Sequence, residues 1–259
     1  GKAFRNEVTT GNFIFRSREF EQMELEYFVS QDENKKWFDY WVSERFEWYV
    51  SIGIDRENLR LRKHGEQELA HYARECYDIE YSFPFGWQEL EGIADRGQYD
   101  LMRHSEFSGK KISYFDSATR KHTIPVVIES SAGVDRTMLT LLVDAYDEED
   151  ERVVLRLHPR IAPIKVAVLP LVKRDNMPEV AKRIHDDLKL HFNSFYDEGG
   201  SIGRRYRRQD EAGTPFGITV DSRTLEDQTV TLRDRDTMEQ IRVSADRVVE
   251  LVRRRLEEC

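Results

Sequence analysis

Three arginines and a glutamate near the start of the chain have the types and spacing to handle a phosphorylated ligand. In GKAFRNEVTTGNFIFRSREFEQMELEYF, residues 1–28, Arg5 and Glu7 lie two apart, as do Arg16 and Arg18. On a strand that spacing puts both members of a pair on one face. Guanidinium groups grip phosphate oxygens bidentately, a nearby carboxylate can accept from an amino group, and Phe15 or Phe20 offers a flat face to a purine. Taken alone, the pattern more often marks a solvated sheet face laced with ion pairs. In ESSAGVDR, residues 129–136, Glu129 closes a buried strand, small residues turn the chain, and Arg136 sits in the first turn of a helix. A helix N-terminus attracts anions and Arg136 adds a full charge there. A plain capped turn explains that stretch equally well. In WQELEGIADRGQYDL, residues 87–101, Glu89 and Glu91 are expected on one face beside Gly92. Magnesium reaches phosphates through one or two such carboxylates. GGSIGRRYRRQDEAGTP, residues 199–215, gathers Arg204, Arg205, Arg207 and Arg208 around Tyr206. The Lys-Ser/Thr of a Walker loop is missing, so a phosphate loop is excluded. A basic helix for an RNA loop, with Tyr206 as a stacking surface, and a solvated helix face both remain.

The elements that must position these residues follow from periodicity. Residues 1–7 and 14–28 read as an antiparallel pair, because the bend between them is short and polar. KKWFDYWVSERFEWYV sets Phe38, Trp41, Val42 and Trp48 at helical spacing. LRLRKH, residues 59–64, alternates as a strand, and the segment around Pro84 and Gly86 is extended on both sides of a break. IPVVIE, residues 124–129, is a buried strand leading to a helix with Val134, Met138, Leu141, Leu142 and Ala145 inward. DAYDEEDER, residues 144–152, is expected to be a solvated acidic loop. After Pro159 and Pro163, KVAVLPLV is a doubly covered strand. Pro178 opens a helix carrying Val180, Ile184, Leu188 and Phe192, Gly199, Gly200 and Gly203 form a turn, and FGITVD is a strand. A hairpin follows, then a helix capped by Ser244 with Val248, Val252 and Leu256 inward. The fold class is α/β (α+β): an antiparallel-sheet domain over 1–158, then a small α/β domain with a mixed sheet over 159–259.

Bulk composition narrows the chemistry. The 259 residues carry a net charge of -9, so any nucleic acid must be met by local basic patches. The two cysteines, Cys76 and Cys259, form neither a disulfide framework nor a zinc spacing, as a reducing compartment allows. No apolar run approaches membrane-spanning length. The first residue is Gly rather than Met, which is expected of a piece of a longer protein.

Together these stretches resemble the single-subunit type of class II glycyl-tRNA synthetases. GKAFRNE with FRSREFEQMELEYF is similar to the second class II signature motif in its glycine-specific form, and ESSAGVDR to the third. FPFGWQELEGIADRGQYDL resembles the family's intervening segment, and AGTPFGITVD its anticodon-binding domain, so the likeness covers nearly the whole chain. The resemblance implies ligation of glycine to its tRNA through glycyl-adenylate, with ATP and Mg²⁺, in the cytoplasm. It implies that Arg5 holds the α-phosphate and the amino-acid carboxylate, with Asn6 and Glu7 at the nucleotide. Arg16 reaches the distal phosphates, Phe20 lies against adenine, and Arg136 clamps the γ-phosphate. Phe15, Gly133 and Asp135 join the ATP side, Glu89 and Leu90 lie near ATP and its magnesium, and Glu24, Glu129 and Ser131 hold the glycine. Arg204, Arg205 and Arg208 are the expected anticodon contacts.

Two departures stand out. Ser130 occupies a position where many of the family have proline, with an expected effect on turn rigidity. The chain also begins at the second motif. The first motif, which builds the family's homodimer, and an Arg-Pro-Glu-Thr stretch with another glycine-binding carboxylate would precede it. The sheet is therefore expected to show bare apolar edges, and the chain alone to have little or no aminoacylation activity. The competing readings are a non-catalytic synthetase-like nucleic-acid-binding subunit and a class II synthetase for threonine, proline or histidine. The first is disfavoured by the presence of Arg5, Glu7, Arg16, Glu129 and Arg136.

Overall fold

The computed structural model describes residues 1–117 and 119–258. They fall into two compact units, Gly1–Asp144 and Ala145–Cys259. The first unit contains β1 (Lys2–Phe4), β2 (Glu19–Val29), α1 (Asn34–Ser51), β3 (Leu59–Lys63), β4 (Glu75–Phe83) and β5 (Gly86–Gly97). It continues with α2 (Tyr99–Ser108), the short strands β6 (Tyr114–Asp116) and β7 (Lys121–Thr123), β8 (Val126–Gly133) and α3 (Val134–Ala145). Six strands form one antiparallel sheet in the order β1-β2-β8-β5-β4-β3.

Side-chain alternation gives this sheet two different faces. Tyr27, Val29, Ile79, Tyr81, Ile93, Val126 and Ile128 pack on one side with Phe38, Val42 and Tyr49 of α1. The registers Glu24 to Ser131, Ser131 to Gly92 and Gly92 to Asp78 put a row of small and polar residues on the other. The charged strands at the start of the chain thus serve that open face, while the core is built on its reverse.

Several local expectations need correction. The first strand stops at Phe4 and the second starts at Glu19, so Arg5, Glu7, Arg16 and Arg18 belong to the loop between them. A bulge separates Glu89 from Glu91: Glu80 pairs with Glu89 and Ile79 with Glu91, leaving Leu90 as the extra residue. The two glutamates consequently face opposite sides. Glu91 is fully buried, accepting two bonds from Arg45 at 2.7 and 2.9 Å, one from Tyr49 at 2.7 Å and one from Ser130. ESSAG forms no turn; β8 runs through it to Gly133 and α3 starts at the next residue. On α3 the buried positions are Thr137, Thr140 and Ala145, whereas Met138 and Leu142 are exposed. The threonine hydroxyls tolerate burial because they donate to Gly133 O and Arg136 O, each at 2.9 Å.

The second unit contains β9 (Tyr146–Glu149), β10 (Arg152–Leu155), β11 (Val166–Pro170), α4 (Met177–Leu188), β12 (Ser194–Tyr196) and α5 (Ile202–Glu211). Then come β13 (Phe216–Val220), α6 (Ser222–Asp227), β14 (Thr229–Asp234), β15 (Gln240–Ser244) and α7 (Val248–Glu257). Its sheet runs β12-β11-β13-β14-β15, parallel across the first three strands and antiparallel beyond. The acidic stretch expected as a loop is the hairpin β9–β10, because its carboxylates are paired: Glu149 with Arg152 and Arg156, Asp147 with Arg156. Buried Arg152 also reaches Asp210 at 3.3 Å, so the position near 158 lies inside this unit. Gly203 lies within α5 rather than in the turn before it. Ser244 makes no side-chain cap, and a 3₁₀ turn over Ala245–Arg247 precedes α7.

Candidate active site

The loop after β1 folds back on itself. Arg5 N donates to Arg18 O at 2.9 Å, Arg18 Nε to Glu7 O at 3.0 Å and Arg16 Nη1 to Glu7 Oε2 at 3.2 Å. These bonds bring Arg5 and Arg16 to the rim of a hollow on the polar sheet face, which Phe20, Gln22, Glu89, Ser131, Gly133 and Asp135 also line. Arg136 enters from the first turn of α3. Its guanidinium stacks 4.2 Å from the Phe15 ring centroid, donates to Glu89 O at 2.8 Å and lies 3.9 Å from the Glu89 carboxylate.

Burial pulls the Arg136 pKa down; Glu89 opposes this, while Arg16 and Arg5 add repulsion. Three arginines thus share the hollow with three carboxylates: Glu7 pairs with Arg16, Glu89 faces Arg136, and Arg5 makes no ion pair among the described residues. Asp135 is held at the edge of the hollow by the Glu21 backbone N–H, which donates to it at 2.8 Å.

A second hollow adjoins the first, and Glu89 and Ser131 line both. Its floor holds Gly92 and Ala94, and Glu129 and Tyr72 contribute to its walls. A Cβ on Gly92 would project to within 3.8 Å of Asp78 Oδ1 and 4.0 Å of Glu89 Oε1, reducing this space. Gln22 Nε2 ties the edge together, donating to Ser131 Oγ at 2.7 Å and to Glu24 Oε1 at 3.0 Å. Glu129 is held by Arg96, which also donates to Asp100 at 2.7 Å and lies 4.0 Å from the Tyr72 ring centroid. Glu26 pairs across the strands with Glu129. Burial, then Glu129, raise the Glu26 pKa to about 7 against the pull of Arg96.

The site residues expected from sequence do not all arrive in the expected way. Arg5, Glu7, Phe15, Arg16, Phe20, Glu89, Leu90, Gly133, Asp135 and Arg136 line the first hollow, but Asn6 is exposed and does not. Phe15 is buried against Phe83 and Phe85 with Arg136 over it, so Phe20 is the ring left for a purine. Arg5 already lies 5.2 Å from the Phe20 centroid. The Leu90 side chain is in the core, so this residue presents only backbone. Glu129 and Ser131 meet in the second hollow, with Glu24 linked to it through Gln22.

Gln22, Glu26, Tyr72 and Arg96 were missed by the sequence reading. The alternation of Gln22, Glu24 and Glu26 along β2 was a usable signal. Only strand register brings Arg96 to Glu129. His64, Cys76 and Asp78 also place their donor atoms within 4.8 Å of one another. Arg62 already donates to that Asp78 at 3.1 Å, and burial pushes the Cys76 thiol up to about 12, so the set is poorly suited to a metal.

In the second unit, Arg204, Tyr206, Arg207, Arg208 and Arg233 surround an open hollow. Arg205 is not among them. It is 2% exposed and donates to the carbonyls of Pro170, Leu171 and Asp197, which corrects its assignment as a nucleic-acid contact. Arg208 is exposed but tied to Asp197 and to Gly199 O at 2.6 Å. Arg204 is exposed and makes no ion pair among the described residues. Tyr206 hydrogen-bonds Thr219, and Arg233 lies 4.8 Å from its ring centroid.

The whole chain aligns with 54% of a prolyl-tRNA synthetase from Cryptosporidium parvum, solved with L-proline and AMP, at a TM-score of 0.75 and 18% identity. The antiparallel sheet followed by a mixed-sheet domain is thus a fold shared with an aminoacyl-tRNA synthetase. Residues 165–255 match the family described as anticodon binding domain. The glycine–tRNA ligase of Caldanaerobacter subterraneus subsp. tengcongensis is 59% identical over 252 residues, 96% of this chain and 54% of that protein. That of Thermobifida fusca is 51% identical over 271 residues, covering 100% and 59%, and that of Clostridium tetani 51% over 262, covering 99% and 56%. The chain is similar to glycine–tRNA ligases over nearly all of its own length, and it spans about half the length of the curated relatives it matches. Among the described residues no helix is long and apolar enough to cross a membrane.

Proposed function

We propose that this chain supplies the ATP-handling, glycine-handling and anticodon-reading parts of a glycine–tRNA ligase. The observation that carries this reading is the junction of two hollows at Glu89 and Ser131: one ringed by Arg5, Arg16 and Arg136, the other floored by Gly92 and Ala94 and walled by Glu129. The guanidinium groups of the first offer bidentate donors to a triphosphate. A small ammonium-bearing molecule fits the second, where Glu24 and Glu129 provide the negative charge.

In the proposed reaction a glycine carboxylate oxygen attacks the α-phosphorus of ATP. A new O–P bond forms, the bond to the β-phosphate bridging oxygen breaks, and pyrophosphate leaves with that electron pair. Arg5 faces both the attacking carboxylate and the α-phosphate, while Arg16 and Arg136 neutralise the leaving group. Positioning and fixed positive charge are the main contributions such a transfer asks of a protein. A hydroxyl at the 3′ end of the tRNA then attacks the acyl carbon, AMP leaves, and the proton lost by the hydroxyl is taken up by the phosphate or by water.

Among the described residues the Glu89 carboxylate accepts no hydrogen bond, whereas Glu7 accepts from Arg16 and Asp135 from the Glu21 backbone N–H. It therefore suits the single carboxylate with which Mg²⁺ joins nucleotide phosphates, and the metal when bound would neutralise phosphate charge. Rejection of larger amino acids rests on clash with Ser131 and the fixed carboxylates. On α5, Arg204 is the arginine most available to tRNA. A cytoplasmic homodimer completed by the rest of the protein is part of this reading.

The test is amino-acid-dependent ATP–pyrophosphate exchange by the whole protein. Glycine alone should support it, and Arg5→Ala should abolish it while leaving tRNA binding nearly intact. Exchange driven by proline, threonine or histidine, or none with any amino acid, would remove the reading.

A further inference from the structure

Between β5 and β8 the chain makes an excursion that the adenylation site does not use. It leaves β5 at Gly97, directly after Arg96, and rejoins the sheet at Val126, three residues before Glu129. Its base is fixed there. Arg96 holds Asp100, Gln98 donates to Ile124 O, and the Tyr99 ring packs 5.4 Å from His71. The excursion therefore stands beside the amino-acid end of the hollow.

Its composition opposes that of the chain. Residues 103–122 carry five cations, Arg103, Lys110, Lys111, Arg120 and Lys121, against Glu106 and Asp116, in a protein of net charge -9. Arg103 pairs with Glu106, but Lys110, Lys111, Arg120 and Lys121 have no carboxylate partner among the described residues. No residue of α2 is buried. Three aromatic rings are open to water: Phe107 at 78%, Tyr114 at 62% and Phe115 at 50% exposure. Arg103 lies 5.0 Å from the Phe107 ring centroid and His122 packs 5.0 Å from Phe115. Ile112 N donates to Ser105 Oγ at 3.1 Å, tying the loop before β6 to α2.

Exposed rings interleaved with free cations are the chemistry that binds single-stranded nucleic acid, bases on the rings and phosphates on the cations. Duplex binding would call for cations without rings. We propose that α2 and the β6–β7 hairpin form a docking surface for the single-stranded 3′ end of the tRNA, guiding its terminal hydroxyl toward the glycine held at Glu129. This deepens the glycine–tRNA ligase reading and rests on it.

The test uses the whole protein carrying Lys110→Ala, Lys111→Ala and Lys121→Ala together, and separately Phe107→Ala with Tyr114→Ala. The probe is an RNA acceptor minihelix, with and without its single-stranded 3′ overhang, in direct binding titrations over a range of salt. Each variant should bind the overhang minihelix about tenfold more weakly, bind the blunt one like the parent, and keep parental glycine-dependent pyrophosphate exchange. The lysine variant should also flatten the salt dependence by about 2 in log–log slope, at about 0.7 per lost phosphate contact on a single strand. Unchanged overhang binding, an equal loss with the blunt minihelix, or binding of the parent to anionic lipid vesicles but to neither RNA would overturn the proposal. Because binding is read without catalysis, a protein lacking glycine-dependent exchange would sink the ligase reading while the surface is still judged by its RNA affinity.

Discussion

Glu91 shows how one side chain can organise a site from behind. It is wholly buried on the α1 side of the sheet, and Arg45, Tyr49 and Ser130 supply its hydrogen bonds. Ser130 neighbours Glu129 and Ser131, whose side chains face the opposite way. Removing its hydroxyl should leave Glu91 under-satisfied, so Ser130→Ala is expected to cost about 1–3 kcal/mol in chemical denaturation. An unchanged midpoint would contradict this role. Ser130 was expected to affect only a turn, and neither the buried acid nor the continuous strand could be read locally. Glu26 lends itself to a pH test. Its carboxyl titrates near 7 in the fold rather than at its ordinary 4.5, facing Glu129, Glu24 and Asp100, with Arg96 as the opposing cation. The folded state thus binds more protons than the unfolded chain between those values, and stability falls as pH rises from 4.5 to 7. Glu26→Gln should remove that decline, gaining on the parent at pH 8 but not at pH 4. Parallel stability curves for the two proteins would refute the assignment.

At the scale of elements, the sequence revealed what periodicity controls and hid what register controls. The α1 spacing of Phe38 and Val42, the all-buried β11 and β13 and the hairpin β14–β15 were legible from side-chain alternation and helical stride. The bulge at Leu90 was not, because one extra residue reverses every later side chain without leaving a mark in composition. The basic helix α5 also misled. Its arginines look alike in sequence, yet the helix turns Arg205 inward onto three carbonyls and leaves Arg204 in water. Arg205→Ala should therefore destabilise the second unit by about 2–4 kcal/mol, as loss of a buried hydrogen-bonded charge does. Arg204→Ala should keep the parental melting behaviour while raising the tRNA concentration needed for half-maximal aminoacylation. Thermal unfolding beside tRNA titration separates the two, and the reverse pattern would show the helix to be facing the other way.

Across the whole molecule, the open sheet face gathers charge whose spacing suits two ligands at once. Arginines and carboxylates line the hollow by α3, and acids and small residues form its neighbour. The most direct measurement is calorimetric binding of a non-hydrolysable glycyl-adenylate analogue to the protein, compared with its alanyl counterpart. The glycyl compound should bind at least tenfold more tightly than the alanyl one, and Arg5→Ala and Glu129→Gln should each weaken it by tenfold or more. Equal affinity for both compounds, or variants that bind like the parent, would contradict the account.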